Sequence, residues 1–253
     1  QAHEMGYEII VAQTLNNAER EADCIRRLLA RQVDGLFIRP VYRPNPSAGI
    51  YEELKRRKTP TVILGHRALF CTNFPNVETD DLAAAKAITQ HLLDLGHSRI
   101  ACLTGPIFAP WAQERYEGYR RALMDHGLEV DEKLVFQAGA TIKEGAAAAL
   151  QFINEKPDAT AMVAANDLVA FGAANTLLNQ GISIPQNLSV AGFGNVLSAE
   201  YFRVPLTTVR QPKYRRGLAA MESMKSLLAG ESVSPKRLPA ELAIRKSTAA
   251  PGA

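Results

Sequence analysis

Two hydrophobic periods alternate along this chain, and that alternation limits its fold more than any other feature. Short runs rich in Val and Ile, such as EIIVAQT at 8–14, TVILGH at 61–66 and RIACLTGP at 99–106, recur between longer stretches with an apolar residue every three or four positions. A short continuous apolar run reads as a buried strand, and a 3.6-residue period reads as a helix with one buried face. Strands are expected at 8–14, 33–40, 61–66, 99–106, 134–138, 161–165, 188–193, 207–210 and 242–246. Between them, helices are expected at 18–31, with Ala22, Ile25, Leu28 and Leu29 on one face, and at 50–58, 82–95, 112–126, 168–180 and 216–229. A further helix opens at a capping box, Thr141 with Glu144, and Gly181 ends the helix at 168–180.

Strands that alternate with helices form parallel sheets covered on both faces. There are more strands here than one sheet comfortably holds, in two series joined near 78–81. The fold class is therefore α/β, with two doubly wound parallel-sheet lobes. In such sheets ligands sit beyond the carboxyl ends of the strands, so functional residues are sought just after each strand. Residues 2–7 look like the last turn of a helix stopped by Gly6. On that reading the first, central strand of the first sheet is missing, and 1–253 is not expected to be a complete folding unit.

Composition narrows the function classes. The net charge is +3 and no long basic run occurs; Arg56-Arg57-Lys58 and Arg215-Arg216 read as solvated helix faces. Three widely spaced cysteines, Cys24, Cys71 and Cys102, make neither a disulfide framework nor a metal site, which fits reduced thiols in a cytoplasmic protein. No segment reaches the about 20 apolar residues of a membrane span, and the opening residues lack the basic start and apolar core of a signal peptide. No G-x-G-x-x-G, P-loop, G-x-S-x-G or H-E-x-x-H motif is present, and the five histidines are scattered. His97 and His126 lie at expected helix ends, where a cation favours the dipole. No catalytic residue, cofactor or metal is expected.

Several segments in order carry a resemblance. They are LGHSRIA at 95–101, TGP at 104–106, RYEGY at 115–119, AND at 165–167 with FGA at 171–173, IP at 184–185, LSVAGF at 188–193, PLTTVRQP at 205–212 and IRKST at 244–248. Spread over nearly the whole chain, they resemble the LacI/GalR family of transcription regulators. The resemblance implies a type I periplasmic-binding-protein-like core whose chain crosses between lobes near Thr79-Asp80, near Gln211 and near 236–238. The N-terminal lobe would comprise 1–79 and 211–236, and the C-terminal lobe 80–210 and 237–253. It further implies a homodimer, a small-molecule effector held in the cleft between the lobes, and operator DNA bound through an N-terminal helix-turn-helix headpiece that this sequence does not include. Effector binding would shift the population between two states of different operator affinity.

Candidate ligand-binding residues follow from position and chemistry. Arg115, in the first turn of its helix, has a planar fork suited to vicinal hydroxyls or a carboxylate, and the family's sugar-contacting Arg sits at this motif position; the alternative is a surface Arg pairing Glu114 or Glu117. Asn166 resembles the family's ligand-binding Asn, while Asp167 reads chiefly as the N-cap of the next helix. Trp111 either stacks on a ligand ring or packs as a loop aromatic. Arg39, His66, Arg67, Asn195 and Gln211 complete the set. Members of the family commonly have Gly-Phe-Asp-Asp where this chain has Gly192-Phe193-Gly194-Asn195, and an Asp-Arg where it has Gly65-His66. With a carboxylate lost and basic groups kept, a sugar acid or sugar phosphate is expected over a neutral hexose. The alternatives are a periplasmic sugar-binding protein of a transporter, marked by a cleavable signal peptide, and an α/β enzyme, exposed by turnover of sugar phosphates.

Overall fold

A computed structural model describes residues 1–45 and 48–252. In chain order the elements are α1 (Ala18–Ala30), β1 (Leu36–Ile38), α2 (Gly49–Arg57), β2 (Thr61–Leu64), β3 (Asn76–Thr79), α3 (Asp81–Asp94), β4 (Ile100–Thr104), α4 (Pro110–Asp125), β5 (Val135–Gln137), α5 (Ile142–Glu155), β6 (Ala161–Ala164), α6 (Asp167–Asn179), β7 (Ser189–Phe193), α7 (Ser198–Tyr201), β8 (Thr207–Arg210), α8 (Lys213–Leu228), β9 (Lys236–Leu238) and β10 (Glu241–Ala243). The chain divides into two compact units. Unit 1 takes Gln1–Thr79, Phe108–Pro110 and Pro212–Leu238, and unit 2 takes Asp80–Ile107, Trp111–Gln211 and Pro239–Ala253.

Unit 1 is built on a parallel sheet in the order β1-β2-β3-β9. Successive side chains of a strand point to opposite faces, and the two faces have separate cores. Leu36, Ile38 and Ile63 pack with Ile25 of α1 and with Ile50, Tyr51 and Leu54 of α2, whereas Val62 and Val77 pack with Ala219, Ala220 and Met224 of α8. The first core holds a buried charge. Glu21 is 1% exposed and accepts hydrogen bonds from the Val41 amide (2.7 Å), the Tyr51 hydroxyl (2.8 Å) and the Arg43 guanidinium (2.6 Å).

Unit 2 has a six-stranded sheet ordered β10-β8-β7-β6-β4-β5, parallel except for the antiparallel edge strand β10. Along β4, Ala101 and Leu103 join the core under α5 and α6, while Ile100 and Cys102 join the core under α3 and α4. Helices start where polar side chains satisfy their first amides. Asn17 caps α1, Asp80 caps α3, and Thr141 with Glu144 forms the expected capping box of α5. Helices α5 and α6 cross at glycines: a Cβ on Gly145 would strike the Val169 carbonyl, and one on Gly172 the Ile142 carbonyl.

Three expectations need correction. Residues 8–14 form no strand, because a strand exists only as part of a ladder and β1, at the sheet edge, pairs with β2 alone. Ile9, Ile10 and Val11 are accordingly 70%, 49% and 80% exposed. The stretch between the strand expected at 61–66 and the helix expected at 82–95, where no strand is expected, contains β3, and the crossing near 236–238 contains β9; these two pair with each other. His97 does not cap a helix but lies buried. Its Nε2 donates to the Ala249 carbonyl (2.8 Å), which leaves Nδ1 to accept from the Thr160 hydroxyl (2.8 Å). Ser247 and Thr248 bind the same part of the sheet through Val190, Thr207 and His91.

Burial holds the His97 imidazole below its ordinary pKa of 6.5, with the neighbouring His91 acting in the same direction and the Ala249 carbonyl against it. The unfolded chain therefore takes up this proton more readily, so the stabilisation is complete above pH 6.5 and is lost as pH falls through the folded value. Thermal melts from pH 8 to pH 5 should show a midpoint that drops below about pH 6.5, and His97→Gln should flatten that dependence. An unchanged slope in the variant would assign the acid sensitivity elsewhere.

Candidate functional site

The candidate residues stand just beyond the carboxyl ends of strands or, for Trp111 and Arg115, in the first turns of the helix that follows one. In unit 1, Arg39 follows β1 and is exposed, and His66 and Arg67 follow β2. His66 is 6% exposed, with a ring nitrogen within 4.8 Å of a Glu78 carboxylate oxygen. Glu78 also accepts from the Asn76 side-chain amide (2.7 Å), whose second donor contact is the Gly65 carbonyl (3.0 Å). Arg67 donates to the Thr72 carbonyl (3.0 Å).

In unit 2 the residues converge on Arg115. Glu117, one of the two acids expected beside it, is taken by Arg120 and Arg121. Arg115 instead donates from Nε and Nη2 to Asp81 Oδ2 at 3.1 and 2.8 Å, and from Nη1 to the Ala165 carbonyl at 2.6 Å. The guanidinium lies between two rings, 4.6 Å from the centroid of Trp111 and 3.5 Å from that of Phe193. Asp81 is 1% exposed and Arg115 13%. Trp111 is the second residue of α4, its ring against the backbone of Gly105. It thus supports Arg115 from one side. Beside this group lies a recess of about 20 Å³, lined by Thr104, Gly105, Ala112, Tyr116 and Phe193 among others.

The N-cap expected at Asp167 falls one residue earlier, on Asn166. Asn166 is the N-cap of α6: its Oδ1 accepts from the Val169 amide (2.8 Å) and its Nδ2 donates to the Ala140 carbonyl (3.1 Å). Asp167 is the first helical residue and is buried, accepting from the Thr208 hydroxyl (2.5 Å) and the Val196 amide (2.8 Å). This also accounts for two glycines at the end of β7. A Cβ on Gly192 would come within 2.6 Å of the Asp167 carboxylate, and Gly194 has φ +136°, a conformation L side chains rarely adopt. Asn195 also has positive φ, and its Oδ1 accepts from Arg245 (2.7 Å). Gln211 follows β8, half-buried.

Asp81 is absent from the residues picked out by sequence. Its only local signal is a place beside the Asp80 cap, and nothing local ties it to an arginine 34 positions on. Removing the cation should be costly, because it strips the buried Asp81 of its charge partner. Arg115→Ala should lower the unfolding free energy by about 3–5 kcal/mol in urea titrations. Arg115→Ala combined with Asp81→Asn should recover part of that loss. Additive effects of the two substitutions would deny that the pair acts as a unit.

Comparison with known proteins agrees with this geometry. The periplasmic binding protein-like domain matches residues 89–248. The HTH-type transcriptional repressor CytR of Escherichia coli K12 is 30% identical over 247 residues, which are 97% of this chain and 71% of that protein. The crystal structure of the transcription regulator CcpA of Lactococcus lactis superposes with a TM-score of 0.87 at 30% identity, over 98% of this chain and 90% of that one. A sugar-binding LacI-family regulator of Escherichia coli, solved in complex with phosphate, gives 0.83 at 29% identity, over 99% and 89%. All three are transcription regulators rather than transport proteins or enzymes. With the fold, the matched domain and the relatives in agreement, the chain belongs to the LacI/GalR family and forms the effector-sensing core of a transcriptional regulator.

Proposed function

We propose that the core senses a small, uncharged, hydroxyl-rich metabolite of the sugar class, with Arg115 and Asn166 as its central contacts and Trp111, Asn195, Gln211, Arg39, His66 and Arg67 completing the set. The observation that carries this is the Asp81–Arg115 pair. Four basic groups after strands favour an anionic ligand when read from sequence, but Arg115 is already matched by a buried carboxylate and His66 lies beside Glu78. Arg115 then carries no surplus charge, and this suits an uncharged ligand better than a carboxylate or phosphate. Ligand binding performs no chemistry; it favours one conformational state over another by differential affinity.

The regulator acts in the cytoplasm as a homodimer. It reaches operator DNA through a helix-turn-helix headpiece, as the name of its relative CytR denotes for that protein. Two-fold symmetry suits a reader of paired half-sites. Sedimentation of the protein at micromolar concentration should give the dimer, and a monomer throughout would refute this assignment.

A thermal-shift screen that pairs neutral sugars with their acids and phosphates tests the ligand class. Stabilisation is expected from a neutral member, and Arg115→Lys should weaken its binding at least tenfold, because an ammonium cannot reproduce a planar fork. Stabilisation by phosphates or sugar acids alone would overturn the reading.

A further inference from the structure

We infer that the edge of unit 1 where its strands begin is a docking surface for the phosphate backbone of duplex DNA. The inference rests on the reading of the protein as a DNA-linked regulator and adds to it a surface separate from the ligand residues. Its starting point is a charge segregation hidden by the modest overall charge. Unit 1 carries 17 Lys and Arg against 11 Asp and Glu, whereas unit 2 carries 12 against 15.

The topology gathers part of this surplus in one place. α1 leads into β1 and α2 leads into β2, and the two strands are parallel neighbours with Leu36 opposite Thr61. Both helices therefore end at the same edge of the sheet. They also pack on each other, with Arg26 reaching Glu53 at 3.9 Å. Arg27 and Arg31 at the end of one helix thus neighbour Arg56 and Lys58 at the end of the other. All four are exposed, and none forms an ion pair among the described residues. Asp34 is the one carboxylate in the two connections, 31–35 and 58–60.

Cations at helix C-termini offset the helix dipole, but a dipole end amounts to about half a charge. Four unmatched cations on two adjacent helix ends exceed that need. The corresponding edge of unit 2 lacks such a surplus: Glu129, Asp131, Glu132 and Asp158 stand there with Lys133 and Lys156, and Arg99 is consumed by Asp131 and Asp158. A uniformly charged polyanion is thereby drawn to the first edge in preference to the second. Duplex DNA is the polyanion such a regulator meets, and each phosphate neutralised by Lys or Arg releases condensed counterions.

The test uses the full-length protein and a fluorescent duplex of random sequence, titrated across a salt series. Replacing Arg27, Arg31, Arg56 and Lys58 with Gln should reduce the slope of log Kobs against log salt by about 0.9 for each phosphate that is no longer neutralised. A control variant with Lys143, Lys156, Arg203 and Lys246 of unit 2 changed to Gln should keep the parent slope. Unfolding midpoints verify both variants, and if the quadruple variant fails to fold, the double variants Arg27→Gln/Arg31→Gln and Arg56→Gln/Lys58→Gln are read instead. An unchanged slope, or equal reductions in the two variants, would overturn the inference. The effector-induced thermal shift is measured on the same variants: its retention alongside a reduced slope separates this surface from the ligand site, and its absence in the parent would count against the sensing role alone.

Discussion

The buried pair between Arg115 and Asp81 is the interaction on which unit 2 most depends. Taking two charges out of water costs several kcal/mol per ion unless each is well matched. Here the match is dense: one carboxylate oxygen takes two N–H groups, a backbone carbonyl takes a third, and two aromatic rings cover the faces of the guanidinium. The start of α3, the first turns of α4, the end of β6 and the last residue of β7 all contribute. One side chain therefore ties together four elements and presents the group proposed to meet the effector. Arg115 cannot be changed without disturbing the packing of all four.

Much of the architecture is legible in the sequence because apolar runs and helical periods dominate it. β4, with Ile100 and Cys102 toward one core and Ala101 and Leu103 toward the other, announces a strand buried on both faces. The failures have a common cause. Residues 8–14 have strand-like composition but no neighbour to pair with, and pairing is not a local property. β3 reads Asn-Val-Glu-Thr and β9 reads Lys-Arg-Leu; neither is an apolar run, yet each finds its partner in the other. The polar site follows the same rule. The positions after the strands can be picked out, because parallel sheets place ligand groups there. Which side chains neutralise one another cannot, since Arg115 with Asp81 and Asp167 with Thr208 join residues 34 and 41 positions apart.

Asn166 and Asp167 show how little separates two readings at neighbouring positions. Both residue types cap helices and both accept hydrogen bonds. A one-residue difference in where α6 begins decides which of them turns inward. With Asp167 inward, a Cβ on Gly192 would come within 2.6 Å of its carboxylate and one on Gly194 within 3.3 Å.

The discontinuity of the two units has a consequence for how the protein is made. β3, completed at Thr79, gains its neighbour β9 only when residues 236–238 exist, and the His97 clasp of unit 2 waits for Ala249. On the ribosome, which delivers the chain from its N-terminus, unit 1 cannot close before residue 238 is made, nor the His97 clasp before residue 249. The open edge of β3 must persist meanwhile without its final partner, during which it is competent to pair with other chains. A frameshift or stop codon ahead of residue 236 would therefore leave both units open at once.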